Sequence, residues 1–151
     1  MKLEKWALIA EIAAGVGVLI TLIFLVIGIR DNTNVTRAAS YEDLMSDLNQ
    51  VFLTVVDDPE LSQLWARRGE RNFESLSNGE FERLALLNRA TWRIYDAAYY
   101  SFRNGSLGLA QWQRFAEVVC GQRPMEDELW SRTSFAVSAE FVAYVDTSCQ
   151  E

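Results

Sequence analysis

Apolar residues fill the chain from Trp6 to Ile29, with one charge among them, Glu11. A hydrocarbon core about 30 Å thick is crossed by about 20 helical residues. The run therefore predicts a transmembrane helix over 6–29. Beyond it the pattern turns periodic. Val35, Ala38, Ala39, Leu44, Leu48, Val51, Phe52 and Val55 recur at three- and four-residue steps, which predicts an amphipathic helix over 32–56. Neither Pro nor Gly falls between Arg30 and Asp58. The membrane helix is thus expected either to continue into this one or to break at Asp31-Asn32-Thr33-Asn34, whose polar side chains suit a new cap.

Asp57-Asp58-Pro59-Glu60 marks a boundary. Pro disfavours helix in the residue before it and suits the first position of the next helix, so Asp58 is the expected N-cap of a short helix to Arg68. Leu61, Leu64 and Trp65 share one face of it, and Gly69 ends it. Ser77 with Glu80 three residues on has the form of a capping box. It opens a second long helix, to about Arg103, closed by Asn104-Gly105. That helix is apolar on two sides: Phe81, Leu84, Trp92, Tyr95, Tyr99 and Phe102 on one, Leu87, Ala90, Ile94 and Ala97 on the other. Packing on both sides is the expectation. Further helices follow over 110–120 (Trp112, Phe115 and Val119 inward, stopped by Gly121), 125–132 (Leu129, Trp130) and from a Ser138 cap to Asp146 (Phe141, Val142, Val145). No strand, repeat or low-complexity tract interrupts them. The fold class is all-α: a short tail (1–5), one transmembrane helix (6–29) and a small helical-bundle domain (30–151). Five or six helices are expected there, centred on an antiparallel pair of long helices.

Charge changes the picture by exclusion. The net charge is -7 over 151 residues, which argues against nucleic acid, because phosphate binding needs a basic footprint. It also leaves no polybasic patch for anionic lipid. There is no His, so the commonest general base and transition-metal ligand are both missing. Lys2 and Lys5 are the only lysines; every later cation is Arg. Ser–Lys catalysis is excluded on that ground, and no Gly-rich phosphate loop is present. No cofactor or metal is expected. The apolar run is too long for a signal-peptide h-region and lacks a small-x-small cleavage site after it, so it reads as an uncleaved anchor. Lys2 and Lys5 before it balance Arg30 and Arg37 after it, a tie in the positive-inside count. Cys120 and Cys149 have neither metal nor redox spacing and read as idle thiols; a disulfide requires an oxidising compartment. Unpaired thiols suit the cytosol, so the domain is expected on the cytoplasmic face.

Within the run, Ala7, Ala10, Ala14, Gly17, Thr21 and Gly28 are spaced to fall on one stripe of a helix, with Phe24 filling the one missing step. Small residues let helix backbones approach in lipid, so this stripe is the expected helix-packing face. Glu11 lies beside it. An acid in hydrocarbon is costly, yet at about 1.5 Å per residue Glu11 sits less than about 10 Å in from Trp6. It reads either as a shallow residue pairing with Lys5 or a headgroup, or as one member of an acidic ring or intermolecular ion pair. Asp57, Asp58 and Glu60, like Glu126-Asp127-Glu128, read as helix-start charges rather than a cation site. Trp92, Tyr95, Tyr99 and Phe102, with Tyr100 nearby, could stack a ligand in a pocket; their helical spacing makes core packing the first expectation.

Four stretches taken together are familiar: Thr36-Arg37-Ala38-Ala39-Ser40-Tyr41, Asp57-Asp58-Pro59-Glu60-Leu61 with Trp65, the Leu76-Ser77 to Phe81 helix start, and Glu140-Phe141-Val142-Ala143-Tyr144-Val145-Asp146. They resemble a loosely defined group of uncharacterised bacterial proteins with one N-terminal span and a small helical domain. The resemblance covers nearly the whole chain and implies a bacterial origin and this architecture, with no activity or cofactor attached; the expected location is the bacterial inner membrane. The functional expectation is a non-enzymatic protein that self-associates, or serves as an accessory subunit of a larger membrane complex, through its span. A small homo-oligomeric channel ringed by Glu11 and a membrane-anchored sensor domain are the alternatives.

Overall fold

The computed structural model of the chain describes residues 2–68, 73, 75–123 and 127–149, with the side chains of 2–5, 7–9, 13 and 127 outside that description. Among the described residues there are six α-helices and no strand. The helices are α1 (Lys2–Asp57), α2 (Pro59–Arg67), α3 (Asn78–Arg103), α4 (Leu109–Gln122), α5 (Asp127–Thr133) and α6 (Ala139–Ser148), with a 3₁₀ turn at Ser134–Ala136. The all-α expectation is met. The chain divides into two compact units, Met1–Thr36 and Arg37–Glu151.

The first unit contains the whole apolar run. From Ala10 onward α1 is long and apolar enough to cross a membrane, and none of its most apolar window is buried. The helix has no break at Asp31–Asn34. Thr33 and Thr36 donate their hydroxyls back to the Ile29 and Asn32 carbonyls, at 2.8 and 2.9 Å. These polar residues thus bond inside the helix instead of capping a new one.

In the second unit, α3 is the centre: α2, α4, α5 and the 3₁₀ turn all pack on it. It buries Leu84, Ala85, Asn88, Thr91, Trp92, Tyr95, Ala98 and Tyr99, which at 100° per residue span an arc of about 140°. The second apolar side expected from the sequence is not buried to the same degree; Leu87, Ala90 and Ile94 are half-buried and Ala97 is exposed. Leu44 and Leu48 of α1 join Tyr95, Ala98 and Tyr99 in the main core, while Val55 clusters with Leu61, Leu64 and Leu87. Arg37 Nε donates to the Gly105 carbonyl at 3.0 Å. Low numbers on α1 therefore meet high numbers on α3, and the two helices run antiparallel.

Caps set the boundaries. Asp58 accepts from the Glu60 and Leu61 amides at 3.0 and 3.1 Å. Ser77 and Glu80 close both halves of the capping box. Gly105, at φ +83°, ends the α3 turn in a conformation that L side chains rarely adopt. Gly121 was expected to stop α4 but lies inside it; glycine without a positive φ weakens a helix by about 1 kcal/mol rather than ending it. Gly69 and Met125, the expected first residue of α5, lie outside the described residues.

The reading of Cys120 and Cys149 as idle thiols is overturned. They form a disulfide, with Cα atoms 4.7 Å apart. α4 and α6 pack on each other, which brings together two ends that are 29 residues apart in sequence.

Candidate functional site

The span offers a stripe before it offers any chemistry. Ala10, Ala14, Gly17, Thr21 and Gly28 are exposed on α1 and fall within about 60° at 100° per residue. The side chain of Ala7 lies outside the described residues. A Cβ added at Gly17 or Gly28 would meet nothing within 4 Å, so both positions leave room for a neighbouring helix backbone. Thr21 donates its hydroxyl to the Gly17 carbonyl at 2.9 Å. The one polar group on the stripe is thereby satisfied inside its own helix, and its methyl is left for packing. Ile12, Leu19 and Ile23 are 60% exposed or more and lie on the opposite face by the same spacing. Glu11 is exposed beside the stripe, and the side chain of Lys5, its expected partner, lies outside the described residues.

The aromatic group at Trp92, Tyr95, Tyr99 and Phe102 is core. Trp92 and Tyr95 are each 1% exposed. Trp92 packs against Trp130 with ring centroids 4.5 Å apart, and Phe102 stacks on Trp112 at 5.6 Å. Tyr99 contacts Trp112, Phe141 and Tyr144. Tyr95 also lines an apolar cleft of about 300 Å³ between α1 and α4. Its wall is Tyr41, Met45, Leu48, Phe52, Phe115 and Val118, with Arg114 the one charge. Periodicity did not single this cleft out; Phe52 and Val118 in its wall are large apolar side chains that the fold leaves more than two-fifths exposed. A second, shallower cleft of about 650 Å³ lies where the less buried side of α3 (Leu86, Leu87, Ala90, Ile94) faces Asp47, Gln50 and Thr54 of α1.

Charged groups in the domain hold helices together. Arg83 spans Asp58 and Glu60, with Nη2 2.7 Å from Asp58 Oδ2 and Nη1 3.1 Å from Glu60 Oε2. The Leu61 amide above all, with the Glu60 amide and the Arg83 guanidinium, holds the Asp58 carboxyl below its ordinary value. The Ser77 hydroxyl first and the Ser77 amide second do the same for Glu80. Burial, reinforced by the neighbouring Tyr99, pushes the Tyr144 phenol up. No local pattern signals the link between Asp96 and Ser138, in which Ser138 donates its amide at 2.8 Å and its hydroxyl at 2.6 Å to the Asp96 carboxylate. Ser138 also caps α6, accepting from the Phe141 amide. No group of three or more His, Cys, Asp or Glu side chains among the described residues is placed to hold a metal ion. Comparison with protein-family models, with curated proteins and with solved structures gives no match.

Proposed function

We propose that this chain is a non-enzymatic, single-span protein of a bacterial inner membrane. Its span packs against a second span, that of another copy or of a larger complex it serves as accessory subunit. The observation that carries this reading is the uncovered stripe of Ala10, Ala14, Gly17, Thr21 and Gly28 on an apolar helix. Lipid supplies no hydrophobic drive between helices, so association rests on close backbone approach, which small residues permit and bulky ones block. The domain suits an interaction module: a core of stacked aromatics, closed caps and one apolar cleft with a single charge in its wall. Native mass spectrometry of the full chain released in mild detergent from its own membranes tests the reading. A homo-oligomer or a fixed complex is expected. A strict monomer with no partner would sink it.

A further inference from the structure

We infer that the helical domain works on the oxidising, extracytoplasmic face of the membrane, with Cys120–Cys149 as a permanent lock on α6. The inference rests on the membrane-anchored reading above. Both cysteines of the chain are in the bond and none is free. Structural disulfides persist in oxidising compartments and are kept reduced in the cytosol. The charges flanking the span leave the orientation open, since Lys2 and Lys5 balance Arg30 and Arg37. The disulfide is therefore the one feature that separates the two orientations, and it reverses the cytoplasmic placement expected from unpaired thiols.

The bond sits where a lock is useful. α6 has ten residues and contributes Phe141 and Val145, both 0% exposed, to the main core. Its first turn is tied to α3 through Ser138 and Asp96. Its far end, where Cys149 follows the last turn, is tied to the last turns of α4 by the disulfide. Neither cysteine is buried out of reach, so an oxidant can approach. The oxidant is the disulfide of a thiol–disulfide oxidoreductase. One cysteine thiolate attacks it, forming a mixed disulfide and expelling an acceptor thiolate. The second cysteine thiolate then attacks the chain's own sulfur in the mixed disulfide and expels the other acceptor thiolate. Two electrons and two protons pass to the acceptor, which ends as a dithiol.

The full chain, expressed in a bacterial host, is quenched in acid and then alkylated with a polyethylene-glycol maleimide under denaturing conditions, with and without prior reduction. Parallel spheroplasts receive external protease, and parallel membranes are washed in alkaline carbonate. The expected result is no alkylation before reduction, two equivalents after it, loss of the domain to external protease, and retention of the chain in the washed membranes. Two thiols that alkylate without reduction overturn the inference, and so does a domain protected from protease until detergent is added. If the thiols are oxidised and the domain accessible, but carbonate releases the chain, the extracytoplasmic placement stands and the anchored reading fails.

Discussion

Asp58 and Glu80 are each held in the ionised form by hydrogen bonds that exist only in the folded domain. In the unfolded chain such carboxyls take up protons near pH 4; in the fold they do so at lower pH. Their contribution is therefore complete above about pH 4 to 5 and disappears as the pH falls through the depressed folded values. Denaturant unfolding of the full chain, followed by tryptophan fluorescence, should show a constant midpoint near neutrality and a falling one in acid. Asp58→Asn combined with Glu80→Gln should lower the neutral midpoint and flatten the acid slope. Asp96 makes a different argument, because its two bonds to Ser138 join α3 to α6 across 42 residues of chain. Hydrogen bonds to a charged acceptor contribute about 1.5–3 kcal/mol when sheltered, and less here because the pair is exposed. Asp96→Ala should thus cost about 1 kcal/mol in the same unfolding measurement, leaving the membrane-bound fraction unchanged.

The helices themselves were largely legible because their signals are local. Asp58-Pro59, Ser77 to Glu80, Asn104-Gly105 and Ser138 each announce a terminus through residues that touch within one turn. The inward positions of α4, Trp112, Phe115 and Val119, followed directly from spacing, and all three are buried. What failed was what depends on distance along the chain. The pairing of Cys120 with Cys149 and the link from Asp96 to Ser138 exist only because α4, α6 and α3 converge. The less buried side of α3 misled for a similar reason: apolar spacing states what a helix can bury, not what is there to cover it. The disulfide closes a loop of 29 residues, for which the chain-entropy relation gives about 3–4 kcal/mol. Cys149→Ser should lower unfolding stability by up to that amount, and reductant should destabilise the wild type while leaving the variant unchanged.

The whole molecule consists of two compact units of different character. The domain supplies a packed, capped and cross-linked body. The first unit supplies an apolar helix with one small-residue face. That face was legible from spacing alone, since Ala10, Ala14, Gly17, Thr21 and Gly28 sit on a single α-helix. What meets it was not legible, because a partner leaves no mark on one chain's periodicity. Photo-crosslinking along the span tests the central claim most directly. A photoreactive residue is placed singly at Ala14, Gly17 or Thr21, and at Ile12, Leu19 or Ile23 on the opposite face, in the full chain in its membrane. The account predicts protein crosslinks at the first three positions and only lipid adducts at the second three. Crosslinks that are equal on both faces, or absent from the small-residue face, would contradict it.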